Sequence, residues 1–341
     1  MPTSALLPAA LATDDDHYED LLGLWSDLEA SLHLVLTSPA LVPALPAKIQ
    51  QLETWMRDLV AHDTDAALYL MFQLAGTSTV GYSASHALVC ATLCQILATS
   101  LQLPPHERHS LVRAALTMNI GMTTLQDQLS LQRDRPSPAQ QQAINQHPQA
   151  SRRLLEEQGV NDALWLDIVA LHHAVPPTQL PLLQQPVAER LARILATTDR
   201  YAAMISPRKS RPGRSVVDST LAVTQGPSGV FDEAGQALVQ CAGHYPPGVF
   251  VRLDNDETAI VLRRSPTAQA PLVAQVLTAQ GFALRQPLLV HLQTSDARIS
   301  GALTHTEVSL RVNHFAMVQL GLYAARYSEG LQHLVQLPGT P

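Results

Sequence analysis

Five positions carry side chains able to hold a metal or handle a proton: His86, His147, the adjacent pair His172-His173, and Asp199. Imidazole and carboxylate donors of these types bind Zn, Mn or Fe. Taken singly, each also fits an ordinary core or surface residue. Taken together they allow three readings: relics satisfied by hydrogen bonds, a single metal position, or a working hydrolytic centre. Neighbouring residues on a helix diverge by about 100°. His172 and His173 can therefore reach one ion only at a helix end, and Pro176-Pro177 place such an end just beyond them. The loop 206–215, SPRKSRPGRS, adds Arg208, Lys209, Arg211 and Arg214. It reads either as a solvated charge run or as a phosphate site, because guanidinium forks match phosphate oxygens. Cys90 and Cys94 lie one helical turn apart in an apolar stretch and read as small buried hydrophobes. With Cys241 they form no CxxC pair, so neither a zinc ribbon nor a thioredoxin-like site is indicated.

The order of these residues carries more information than their types. Tyr82-Ser83-Ala84-Ser85-His86 opens the series, and Glu107 to Leu125 follows as ERHSLVRAALTMNIGMTTL. Gln146-His147-Pro148, Leu171-His172-His173, and Thr198-Asp199-Arg200-Tyr201-Ala202-Ala203-Met204 come next, then Arg208 and Arg211, then the run Tyr245-Pro246-Pro247-Gly248-Val249-Phe250-Val251-Arg252-Leu253. In this order the set resembles the HD-GYP family, the helical phosphodiesterases of bacterial cyclic di-GMP signalling. The matching motifs are YT-x-x-H, A-A-L-L-H-D-I-G-K, H-P, H-H-E, D-x-Y-x-A-M/L, R-P-Y-R and Y-P-x-G-x-x-V-x-L. The resemblance covers residues 80–265 or thereabouts.

The departures from that pattern are as specific as the matches. Met118-Asn119 stands where the family has its signature His-Asp pair, Met122 replaces the lysine, and Ala174 replaces the glutamate after the paired histidines. The loop that would carry Gly-Tyr-Pro is reduced to Val175-Pro176-Pro177-Thr178. In the family the aspartate bridges two metal ions and activates a water. Asn119 is neutral and offers only a carbonyl oxygen, and Met118 offers a soft thioether that suits Mn or Fe(II) poorly. No catalytic residue is therefore expected at the degenerate positions Met118, Asn119 and Met122. The resemblance implies one vestigial position with His86 and Asp199, and one metal position with His147, His172 and His173. It also implies that Arg208 and Arg211 touch dinucleotide phosphates. The cofactor expectation is no metal, or one divalent transition metal (Fe, Mn or Zn).

The elements that must position these residues are mostly helices. Apolar residues at helical spacing predict helices over 18–36, 47–61 and 64–74. After a Gly-Thr-Ser stretch at 76–81, further helices are predicted near 83–99, 107–119, 139–158, 162–172, 187–205, 216–224 and 233–243. The breaks are rich in Pro and Gly, as helix ends should be. Beyond His244 alternation takes over: Val249, Val251 and Leu253, then Ala259, Val261 and Arg263 across Asn255-Asp256, predict a β-hairpin. A further strand is predicted at Leu288–Leu292 and a helix at Phe315–Tyr327.

The fold class is thus mostly α: an HD-domain-like helical bundle with an N-terminal helical segment and a small C-terminal β-containing appendix. Its expected parts are 1–78 (the first 16 or so disordered, with Asp14 to Asp16 capping the next helix), 79–247 as the HD-GYP-like domain, 248–300 as the β region, and 301–341, whose structure the pattern leaves open. The N-terminal apolar stripe serves packing first, with a homodimer seam or a sensory unit as alternatives.

Composition narrows the functions. A net charge of −7 argues against a general polyanion binder, and an aromatic content of 4% argues against base-stacking platforms, so no nucleic-acid partner is expected. The N-terminus lacks a basic region before its apolar residues, and no stretch reads as long and apolar enough to insert into a bilayer. A cytoplasmic protein is the default. The leading expectation is a degenerate HD-GYP-like signalling protein, catalytically inactive, that binds cyclic di-GMP, a protein partner, or both. One alternative is a residual metal-dependent phosphodiesterase. Another is a protein scaffold like the related HDOD proteins.

Overall fold

Helix α4 (Tyr82–Ser100) is the axis of the molecule: every residue from 83 to 98 is buried. In the computed structural model, which describes residues 20–77, 80–176, 178–207, 209, 213–225, 231–265, 270–304, 306–308 and 310–335, it is contacted from all sides. Around it pack α1 (Leu21–Thr37), α2 (Leu45–His62), α3 (Thr64–Thr77), α5 (Pro105–Thr117), α6 (Thr123–Leu131), α9 (Val187–Ile205) and α11 (Glu233–Ala242). A helix with neighbours on every face must be apolar all round. That corrects the expectation that no stretch is apolar enough to cross a bilayer. Among the described residues α4 alone meets the length and hydropathy for a span, with 89% of the stretch buried inside the protein.

The remaining helices are α7 (Pro138–Glu157), α8 (Ala163–Leu171), α10 (Val216–Thr224) and α12 (His314–Val335). Most follow the periodicity, and α9 and α10 have the expected bounds. The sequence reading overlooked α6, a nine-residue helix with few apolar residues. In α1 the stripe of Leu21, Trp25, Leu28, Leu32 and Val35 is buried within the chain against α2 and α4. The expected cap at Asp14 to Asp16 and the N-terminal disorder lie outside the described residues. The cap on α1 is Asp20, whose carboxylate accepts from Gly23 N–H at 2.9 Å.

After α11 the chain builds an antiparallel sheet in the order β4-β3-β2-β1-β5. Its strands are β1 (Phe250–Leu253), β2 (Thr258–Arg263), β3 (Leu272–Leu277), β4 (Ala283–His291) and β5 (Ile299–Leu303). The β1–β2 hairpin has the register Phe250↔Ile260 and Val251↔Ala259. The expected strand at 288–292 falls in the second half of β4. Strands β3 and β5 had no alternating signal: β3 is buried on both faces and so reads as a continuous apolar run, while β5 is five residues long and contains Gly301.

Ion pairs and a close backbone approach fasten the sheet to the helices. Arg263 and Arg264 reach back to the α2–α3 corner, with Arg263 Nη1 to Asp63 Oδ2 at 2.7 Å and Arg264 Nε to Asp65 Oδ1 at 2.6 Å. Gly248 has φ +92°, and a Cβ there would sit 2.7 Å from the Tyr69 carbonyl oxygen, so only glycine lets the chain enter the sheet this close to α3. A buried network ties the helices that frame the site. Glu53 on α2 accepts from His109 (2.6 Å) and Arg113 (3.1 Å) on α5, and Arg190 on α9 donates to both oxygens of Glu107 on α5.

Candidate metal centre

His147 shows how local sequence aims a ligand. Pro148 lies inside α7 and has no N–H, so the carbonyl of Ile144, four residues earlier, loses its helical partner. The His147 Nδ1–H takes that carbonyl at 2.5 Å. A carbonyl can only accept, so the bond fixes the tautomer and leaves Nε2 as a bare lone pair. His172 is held in the same way. It caps the end of α8, where the last carbonyls have no helical donor, and its Nδ1–H goes to Val169 O at 2.7 Å.

The two bare nitrogens then face each other, Nε2 to Nε2, at 3.2 Å. Two lone pairs at that distance repel unless a cation lies between them. A proton is the poorer candidate. Burial pushes both histidines down, with His172 lowered to about 3 and a second contribution from His173 beside it. A divalent metal fits better: nitrogens bound to one ion at about 2.0–2.1 Å in neighbouring positions sit roughly 3 Å apart. The ring of His173 completes the group, 4.1 Å from that of His172 and 5.1 Å from that of His147, on the turn that ends α8. His147, His172 and His173 thus form one set of donors able to hold a metal ion. The helix end expected from Pro176 is what lets adjacent histidines converge.

The second set stands beside the first. His86 on α4 and Asp199 on α9 meet at 2.7 Å, Nε2 to Oδ1. Burial alone would raise the Asp199 carboxyl. The hydrogen bond and charge of His86, with His172 and His173 behind it, outweigh burial and hold the carboxyl well below the usual carboxylate range. The other oxygen, Oδ2, lies 4.0 Å from His173 Nε2, so Asp199 touches both donor sets. Cys90 joins this second set, with its sulfur 3.7 Å from His86 Nε2. Cys90 is fully buried in the core, as its type and apolar surroundings predict. Its signal was present as spacing, since residues i and i+4 share a helix face.

Met118, Asn119 and Met122 lie at and just beyond the end of α5. Met118 is fully buried in the core, and Met122 is half-buried. Asn119 starts the 3-10 turn Ile120–Met122, and its side-chain oxygen is buried without a hydrogen-bond donor. The turn is pinned to α7 one helical turn beyond His147: Gly121 N–H donates to Ser151 Oγ at 3.0 Å, and a Cβ at residue 121 would lie 2.8 Å from Ser151 N. Arg208 and Arg211 lie outside the described residues. The backbone between them is anchored where Lys209 N–H donates to Ser130 O at 2.9 Å, at the end of α6. A cleft of about 710 Å³ opens elsewhere, between α10, α11 and the start of β5.

A mostly helical fold presents two buried imidazoles with fixed tautomers, in a group of donors able to hold a metal ion. No family profile matches the chain. It is 27% identical over 186 residues to a cyclic di-GMP phosphodiesterase of Pseudomonas aeruginosa, covering 54% of this chain and 45% of that protein. The chain thus spans about half the length of the curated relative it matches. Among solved structures it is similar to an HDG"Y"P protein from Bdellovibrio bacteriovorus, at 15% identity, with 67% of this chain and 74% of the other covered and a TM-score of 0.49. In its ordered motifs and in this relative, the chain is similar to HD-GYP-type proteins.

Proposed function

We propose that the chain is a signalling protein that binds cyclic di-GMP through a single metal held by His147, His172 and His173, and does not hydrolyse it efficiently. The observation that carries this reading is the pair of facing Nε2 atoms, 3.2 Å apart, each with its other nitrogen committed to a carbonyl. The choice of nucleotide follows the relative named as a cyclic di-GMP phosphodiesterase.

A bound divalent ion would supply positive charge to a phosphate oxygen and lower the pKa of a coordinated water. The three imidazoles are neutral and leave that charge uncompensated, which favours an anionic ligand such as a phosphodiester. What the chain withholds is the rest of a hydrolytic centre. Asn119 can neither bridge two ions nor accept a proton. Asp199 is held ionised by His86, and a carboxyl with so low a pKa is a weak general base. Arg208 and Arg211 are proposed to clamp the phosphates.

The test uses the full chain. Elemental analysis should find at least one equivalent of a transition metal, and less than about a tenth of an equivalent would sink the metal reading. Calorimetry with cyclic di-GMP should show binding that is lost in His147→Ala and weakened in Arg208→Ala. Absence of binding by the unmodified protein would leave the scaffold alternative. Robust hydrolysis that disappears in His147→Ala would overturn the inactive reading in favour of a residual phosphodiesterase. The favourable observation for that second reading is the contact of Asp199 with both donor sets.

A further inference from the structure

The second donor set differs from the first in kind. His86, Cys90 and Asp199 offer one nitrogen, one sulfur and one oxygen, with all three ligand atoms within 4.8 Å of one another. His86 and Cys90 are four residues apart on α4 and share a face. Asp199 comes from α9, which packs along α4. Both α4 residues are buried, His86 at 2% exposure and Cys90 at 0%. The His86 Nδ1 is buried without a hydrogen-bond partner, and its Nε2–H is shared with the Asp199 carboxylate rather than with a backbone carbonyl.

We infer that Cys90 is a metal ligand and that His86, Cys90 and Asp199 form a second, thiophilic site selective for zinc. The charge balance favours it. Asp199 is already a carboxylate. The Cys90 sulfur lies 3.7 Å from His86 Nε2 on the same face of α4. Binding then releases one proton from sulfur to solvent, and the His86 proton moves from Nε2 to Nδ1 to free the lone pair. One dication, one thiolate and one carboxylate sum to zero, the charge state that tolerates burial best. A site of three neutral imidazoles keeps the full double charge. Softness also separates the two sets, since a thiolate favours Zn(II) over Mg(II) or Mn(II). This inference does not rest on the proposed function, because its ligands are not those of the first site.

Cobalt(II) titration of the full chain tests it, because sulfur bound to cobalt gives a near-ultraviolet charge-transfer band. The wild-type protein should show the band and bind two equivalents. The His147→Ala/His172→Ala variant should lose one equivalent and keep the band, so failure of the first site is read separately. Cys90→Val should lose the band and one equivalent, whereas Cys94→Ala should keep both. If Cys90→Val does not fold, Cys90→Ser and His86→Gln must each abolish the band. Absence of the band in the wild-type protein, or its survival in the Cys90 variants, overturns the assignment.

Discussion

Pro148 strips the Ile144 carbonyl of its helical donor, and the imidazole of His147 fills the gap at 2.5 Å. A residue that ordinarily costs a helix about 3 kcal/mol is here the device that fixes a ligand's tautomer. Pro148→Ala would restore a backbone N–H to Ile144 and set it in competition with His147 Nδ1. The metal-free variant should be more stable than the wild-type protein. Its affinity for the first metal should fall about tenfold, the size of effect that lost outer-shell partners have. Metal titration beside thermal melting in chelator checks both halves. A variant that melts higher and binds metal equally well would remove the role given to Pro148.

His172 makes stability depend on pH in a definite direction. Its imidazole is neutral in the folded, metal-free protein, with a pKa near 3, and takes a proton readily only when the chain unfolds, near 6.5. The stabilisation is therefore complete above about pH 6.5 and is lost as pH falls toward 3, at up to about 1.4 kcal/mol per pH unit. Between pH 7 and pH 5 the metal-free protein should lose about 2 kcal/mol from this group. His172→Gln, whose side chain does not titrate, should lose correspondingly less. Urea melts in chelator at the two pH values give the comparison, and equal losses in both proteins would contradict the assignment.

Asn119→Asp should restore what the chain lacks. In chelator the new carboxylate occupies a position where the amide oxygen already has no donor, and the variant should be less stable by about 1–3 kcal/mol. With Mn(II) or Fe(II) the order should reverse, with a larger metal-induced rise in melting temperature than in the wild-type protein. Hydrolysis of cyclic di-GMP should become measurable or increase. An unchanged metal-induced shift would show that residue 119 does not face the metal.

Glu53 offers a control remote from the donors. It is 1% exposed and holds His109 and Arg113 across the α2–α5 interface. Glu53→Ala should cost about 3 kcal/mol by leaving Arg113 without its partner. Metal content per folded molecule should not change. A loss of metal in proportion to stability would mean that the site depends on this interface.

Much of the helical frame was legible from the sequence. The periodicity that marks α9, with Pro186 before it, sets its bounds to the residue. Where the signal is weak the structure departs from expectation. Helix α6 has few apolar residues, and β3, buried on both faces, has no alternation to read. Helix α4 is apolar because it is surrounded, which a chain read in one dimension does not distinguish from a membrane span.

The sequence by itself determined the donor types, the presence of Met118-Asn119 where the resembled motif has His-Asp, and the local devices that aim a side chain, such as His147 beside Pro148. These are contacts within one helical turn, and spacing encodes them. The resemblance grouped the donors, but only the tertiary structure decided how closely they meet. His147 meets His172 across 25 residues, and His86 meets Asp199 across 113. Coordination requires atoms within a few ångströms, and for residues this far apart that distance is set by how α4, α7, α8 and α9 pack. The same packing keeps Cys90 in the hydrophobic core, as its type and spacing predict, while setting its sulfur beside His86 and Asp199.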